Sequence, residues 1–205
     1  MRIYKITTLL FLFITMTFNS NSKDEIIIDS DMTFAEAVKG TEAPKPLLDS
    51  LNLLNVEYYS FDKKLHKGQI IVHNLIKDDV IKFFELAKKT KFPIKSVIPI
   101  VKYNWDDVKS MEDNNSSAFN FRKVEGSDKL SNHAFGLAID VNPFQNPVIY
   151  SNGRIVPSGA EHNEKADGTF TNENELVKFM LNKKFRWGGN WTSMKDYHHF
   201  DRISK

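Results

Sequence analysis

Two short stretches concentrate the side chains able to do chemistry: Ser131-Asn132-His133-Ala134-Phe135-Gly136-Leu137-Ala138-Ile139-Asp140 and Asp196-Tyr197-His198-His199-Phe200. Each carries at least one imidazole and one carboxylate. The chain has no cysteine, so neutral imidazole nitrogen and carboxylate oxygen are the ligands left for zinc; a catalytic zinc takes three protein ligands and keeps a fourth position for water. The spacing sets a condition on this reading. His133 and Asp140 are seven residues apart, and on an unbroken strand an odd separation turns two side chains to opposite faces. The chain must bend between them, and Gly136 is the residue that can bend. Asp196 and His199 are three apart, a separation that a turn or helical step brings to one cleft, with His198 pointing elsewhere. Taken singly, His133 reads as a polar loop residue and Asp140 as a cap. The joint pattern argues for a metal site.

The elements that must position these residues follow from periodicity and breakers. Leu47 to Asn55 carries apolar residues at 47, 48, 51, 53 and 54, and Val56 to Phe61 reads as a strand. Turn formers at Asp62-Lys63-Lys64 and His66-Lys67-Gly68 lead to a second strand over Gln69 to His73. Asp78 or Asp79 caps a helix with Val80, Ile81, Phe83, Phe84 and Ala87 on one broad face, ended before Pro93. Its terminal Lys88, Lys89 and Lys91 suit the helix macrodipole and solvent better than a phosphate site. Ile94 to Tyr103 reads as an edge strand interrupted by Pro99. Loop formers dominate residues 104–117 and again after Pro143, a length that points to a cleft or a functional cover. Thr171 or Asn172 caps a last helix through Leu181. Trp187, Gly188, Gly189 and Trp191 then wall the cleft or pack in the core, and Ser131 either orients a ligand or caps a turn. His66, His73 and His162 read as structural or exposed.

The 205 residues, 41% hydrophobic with 16 Phe, suffice for one well-buried domain. Residues 1–22 combine the basic head Met1-Arg2-Ile3-Tyr4-Lys5, an apolar run from Ile6 to Phe18 and a polar end, the layout of a secretory signal peptide. That run falls short of the roughly 20 residues of a membrane-spanning helix. Residues 23–46 read as a leader or linker, and 47–205 as the domain. The 28 basic and 26 acidic residues give a net charge of +2, and loss of Arg2 and Lys5 with the signal segment would bring it to zero. Net charge therefore gives no ground for nucleic-acid binding. The absence of cysteine excludes disulfides, thiolate ligands, a lipidated cysteine anchor and a cysteine nucleophile.

The two motifs, SxHxxGxAxD and DxxHF, stand with Trp187-Gly188-Gly189, Trp191, Tyr59-Ser60-Phe61-Asp62, Ser117 to Arg122, Asn142-Pro143 and Asn146-Pro147 between residues 47 and 201. Together they resemble the zinc D-alanyl-D-alanine carboxypeptidase and L-alanyl-D-glutamate peptidase family, whose fold is shared with the hedgehog signalling domain. The resemblance implies an α+β fold, a small antiparallel sheet with flanking helices. It implies zinc held by His133, Asp140 and His199, Asp196 as general base, and Arg122 holding the carbonyl oxygen. Relatives have Gln where this chain has His198. The implied activity is hydrolysis of a peptide bond in the peptidoglycan stem, either D-alanyl-D-alanine or L-alanyl-D-glutamate, by a secreted or periplasmic monomer with no nucleic-acid partner. The rival from another class is a zinc-stabilised binding module without catalysis, in which His198 or another side chain replaces water in a closed four-ligand site.

Overall fold

A computed structural model describes residues 26–203; the expected signal peptide, residues 1–22, lies outside the described residues. In chain order the elements are β1 (Ile27–Ile28), α1 (Phe34–Ala37), α2 (Lys45–Leu48), β2 (Leu51–Tyr59), β3 (Leu65–His73), α3 (Lys77–Thr90), β4 (Ser96–Val97) and α4 (Asp107–Glu112). There follow β5 (Asn115–Ser116), β6 (Ala138–Asp140), β7 (Val148–Tyr150), β8 (Ile155–Val156), α5 (Glu175–Asn182), β9 (Arg186–Trp187), β10 (Met194–Asp196) and β11 (His199–Asp201). The class is α+β, as expected: small sheets in the orders β1-β3-β2, β10-β7-β8, β6-β11-β9 and β4-β5, flanked by helices. Pairing is antiparallel except between β1 and β3 and between β4 and β5.

Strand β3 explains the layering. Its run Ile70-Ile71-Val72 is buried throughout, which a strand achieves only when both faces are covered. Ile70 and Val72 face the main core, where Val80, Phe83, Phe84 and Ala87 of α3 meet Leu176, Val177 and Met180 of α5. Ile71 points the other way, into a second cluster with Ala37, Leu51 and Phe119. Residues 32–48 cover that cluster through Met32, Phe34, Leu47 and Leu48. The expectation of a leader or linker over 23–46 is therefore corrected: from Ile26 onward this stretch is part of the packed unit. β1 adds to β3 in parallel, Ile27 opposite His66 and Ile28 opposite Lys67. Thr33 and Glu36 close a reciprocal capping box on α1. Trp105 Nε1 donates to Lys39 O at 3.1 Å. Without this cover, the large apolar side chains of Leu51, Ile71 and Phe119 would each lose about 1.5–3 kcal/mol of burial.

Other boundaries shift in ways the hydrogen bonds explain. Asp79 does not cap α3 but lies in its first turn, 2.6 Å from Arg202 Nη2 and 3.3 Å from Lys183 Nζ, tying α3 to later parts of the chain. The cap of α5 is Asn174, whose side chain accepts from Leu176 N at 2.9 Å. The expected strand from Ile94 to Tyr103 is only β4 followed by a 3-10 turn at Ile100–Tyr103. The loop expected over 104–117 contains α4, capped by Asp106, which accepts from Lys109 N. After β6, the fully buried amides of Asn142 and Asn146 organise the loop: Asn142 Oδ1 accepts from Lys95 N, and Asn146 Oδ1 from Phe170 N.

Candidate metal centre

Cross-strand register brings the second motif to the first. β11 pairs antiparallel with β6 so that His199 lies directly opposite Asp140, the placement in which two side chains on one face touch. His133 arrives from a separate device, the 3-10 turn Asn132–Phe135. Ser131 caps that turn, its hydroxyl accepting from His133 N at 3.3 Å, so of its two sequence readings the cap is the one seen. Gly136 ends the turn with φ +65, a conformation L side chains resist, and an added Cβ would sit 2.7 Å from Leu51 Cδ2 and 2.9 Å from His73 N. The bend demanded by the odd spacing is thus at Gly136.

The three side chains His133, Asp140 and His199 are buried and converge. One donor atom from each lies within 4.8 Å of the others. His133 Nε2 is 3.1 Å from Asp140 Oδ2 and 3.1 Å from His199 Nδ1, which is itself 2.9 Å from Asp140 Oδ1. The remaining ring nitrogens determine what these atoms can offer. His133 Nδ1 lies 2.6 Å from Ala118 O, a carbonyl that only accepts, so Nδ1 carries the hydrogen and the Nε2 lone pair faces inward. His199 Nε2 faces the carboxylate of Asp201 at 3.6 Å, which favours the hydrogen there and turns Nδ1 inward. Burial opposes a charge on His199, but the carboxylates of Asp140 and Asp201 prevail and hold its pKa up at about 10. Burial likewise pushes Asp140 upward, yet the facing imidazoles of His133, His198 and His199 hold it well below the usual carboxylate range. A metal would have to displace that proton, and two inward imidazole nitrogens with a carboxylate are the donor set that fits a divalent ion.

Asp201 escaped the sequence reading. It is buried, accepts from Arg186 Nε at 2.9 Å and from Asn132 Nδ2 at 2.6 Å, and also pairs with Arg186 Nη2. Burial would raise its pKa, but the facing His199 imidazole and the hydrogen bonds from Arg186 and Asn132 hold the carboxyl well below the usual carboxylate range. The signal was available: residues 199 and 201 of one strand share a face.

Asp196 lies at the end of β10 on the wall of the same cleft and outside the three-residue group. Its Oδ1 is buried and lacks an aligned hydrogen bond, although His198 Nε2 is 3.1 Å away. His198 corrects an expectation, because it does not point elsewhere. Its Nδ1 donates to Asn146 O at 2.8 Å, and its Nε2 faces Asp196 and, at 4.0 Å, Asp140 Oδ2. The ring therefore stands beside Asp196 and is not among the three converging donors. Gly188 sits against Asp196, where a Cβ would lie 2.3 Å from its carbonyl oxygen, so this glycine admits the chain's own backbone and not a peptide's. Trp187 is a core residue, donating to Tyr197 O and stacking on Phe200, while Trp191 lines the cleft beside His199.

Arg122 also lines the cleft, a cavity of about 760 Å³. It is paired with Asp107 of α4 at 2.6 Å, and its Nε is buried without a partner. Arg122 Nε and Asp196 Oδ1 are thus two buried polar atoms without a hydrogen-bond partner on residues that line one cleft. Elsewhere, His66 is structural but not isolated: its ring nitrogens face Asp29 at 3.0 Å and Asp62 at 3.2 Å.

A family model described as D-alanyl-D-alanine carboxypeptidase matches residues 125–202. The resemblance read from the motifs is upheld over this span, which contains His133, Asp140, Asp196 and His199 and begins just after Arg122. Comparison with curated proteins finds no match, and comparison with solved structures finds none either.

Proposed function

We propose that the protein is a zinc metallopeptidase that hydrolyses a peptide bond in peptidoglycan stem peptides, with His133, Asp140 and His199 as the metal ligands. The observation that carries this reading is the orientation of the two rings: Ala118 O takes the outer nitrogen of His133, the Asp201 carboxylate faces the outer nitrogen of His199 at 3.6 Å, and both inner nitrogens lie beside Asp140. A zinc ion held there supplies Lewis acidity, polarising the scissile carbonyl and lowering the pKa of water to near neutrality.

The chain's own groups do the rest. Asp196 takes a proton from the attacking water as the new C–O bond forms, and delivers it to the amine nitrogen as the C–N bond breaks. His198 Nε2 lies 3.1 Å from the Asp196 carboxylate. The Arg122 guanidinium is suited to the negative charge that develops on the carbonyl oxygen. Asp107 restrains the Arg122 guanidinium at 2.6 Å.

The family match supports a peptidase of the carboxypeptidase type, and its cell-wall substrate class supports an export role for residues 1–22. Among the described residues no helix is long and apolar enough to cross a membrane. The test is to incubate the zinc-loaded protein with purified muropeptides and weigh the products. Loss of one alanine identifies the D-alanyl-D-alanine bond, and separation of the stem after its first residue identifies L-alanyl-D-glutamate. Unchanged masses with zinc present sink the proposal.

A further inference from the structure

Three arginines line the cleft, and their counter-ions differ in how readily they could leave. Arg186 is held by Asp201, whose side chain is 3% exposed, and Arg122 by Asp107, 24% exposed. Arg154 is held by Glu125, which is 68% exposed. Glu125 stands on the loop 123–130, closed by a bridge between Lys123 and Leu130 and containing no buried residue. An ion pair this exposed contributes little to stability. Of the three guanidinium groups, Arg154 has the most exposed partner, the one a substrate's carboxylate can replace at least cost.

The far side of this pair is built to hold a carboxylate. Arg154 Nη2 donates to the two Glu125 oxygens at 3.1 and 3.3 Å, and the Tyr150 hydroxyl donates to Oε2 at 2.7 Å. The guanidinium lies 4.0 Å from the centre of the Tyr150 ring, which fixes its plane. Hydrogen bonds to Tyr150 and Arg154 depress the Glu125 carboxyl, as they would any carboxylate placed there.

Position relative to the chemistry follows from strand register. β7 pairs with β10, Val148 opposite Asp196 and Tyr150 opposite Met194. Tyr150 is therefore two residues along the same face from the level of the base, about 7 Å at strand rise. An extended peptide rises by the same amount per residue. We infer that Tyr150 and Arg154 form a receptor for a substrate carboxylate borne within one or two residues of the scissile bond, with Glu125 as an internal placeholder that this carboxylate displaces. The inference rests on the metallopeptidase reading for the location of the scissile bond. It defines the substrate class as acidic peptides, and it makes Glu125 a built-in competitor.

The competitor role gives two substitutions opposite signs. Calorimetry on the zinc-loaded protein would compare a stem pentapeptide with free carboxylates against the same peptide with its carboxylates amidated, hydrolysis being followed in parallel by mass. Arg154→Ala weakens binding of the acidic peptide about tenfold, the scale of a charge-assisted hydrogen bond. Glu125→Gln tightens it about threefold, the scale of one exposed ion pair removed. Binding of the amidated peptide stays unchanged in both variants. The inference is overturned if Glu125→Gln weakens binding as Arg154→Ala does, or if Arg154→Ala weakens the amidated peptide equally, since the bridge is then only structural. Absence of hydrolysis by the unsubstituted protein would count against the metallopeptidase reading, while the binding series would still decide the receptor.

Discussion

Asp201→Asn separates a metal-tuning carboxylate from a structural ion pair. Asp201 reaches Arg186 with both oxygens, accepts from Asn132 at 2.6 Å and faces His199 Nε2 at 3.6 Å. Asparagine keeps the volume and one accepting oxygen but removes the charge that fixes the His199 hydrogen on Nε2 and makes Nδ1 a better donor. Losing such a carboxylate behind a ligand histidine weakens metal binding about 10- to 100-fold, or about 1.4–2.7 kcal/mol. The Arg186 half of the pair is half-exposed, so breaking it contributes little to that figure. Arg186→Gln is therefore the control, because it removes the same ion pair and leaves the carboxylate on His199. Zinc dissociation constants would be measured by competition with a chromophoric chelator, with thermal melts of the metal-free proteins to confirm folding. Asp201→Asn should lose at least tenfold in affinity and Arg186→Gln less than threefold. Equal losses, or none, would refute the role given to Asp201.

Two further perturbations test other parts of the account. His199→Ala should abolish zinc binding, whereas His198→Ala should retain one zinc per chain; metal analysis after gel filtration distinguishes them, and the reverse result would exchange the two assignments. Tyr58 concerns stability in alkali: burial and its hydrogen bond to Asp29 hold the phenol's pKa far above the ordinary 10.0. The folded state then keeps a proton that the unfolded chain releases, so this stabilisation is complete below about pH 10 and is lost as pH rises beyond it. Urea midpoints should fall from pH 10 upward in the unsubstituted protein and fall less in Tyr58→Phe; parallel curves would contradict this.

The site was more legible in the sequence than the scaffold. His133, Asp140 and His199 converge because their motifs encode local geometry: an odd spacing that requires a bend, a glycine to make it, and a short strand on each side. The apolar face of α3 was equally plain, since its periodicity is local. What failed was long-range. Residues 26–46 looked like a leader because they are short and polar, and their purpose appears only once Ile71 and Phe119 are seen to need a cover. The unbroken run Ile70-Ile71-Val72 was the clue that both faces of β3 are buried. His198 was misread because a three-residue step assigns directions within one element, whereas the chain passes from β10 to β11 between Asp196 and His199. Asp107, at the start of α4, and Glu125, on the loop 123–130, partner cleft arginines elsewhere in the chain, and no spacing rule connects them.

The central claim is that Asp196 moves protons beside a metal it does not bind, since its carboxylate stands outside the His133, Asp140 and His199 group. Asp196→Asn measures this most directly, with zinc content and muropeptide turnover determined on the same preparation. The account predicts one zinc per chain, as in the unsubstituted protein, with turnover reduced about 100- to 10,000-fold, the range for removal of a general base. Turnover at the unsubstituted rate, or loss of the zinc together with activity, would contradict it.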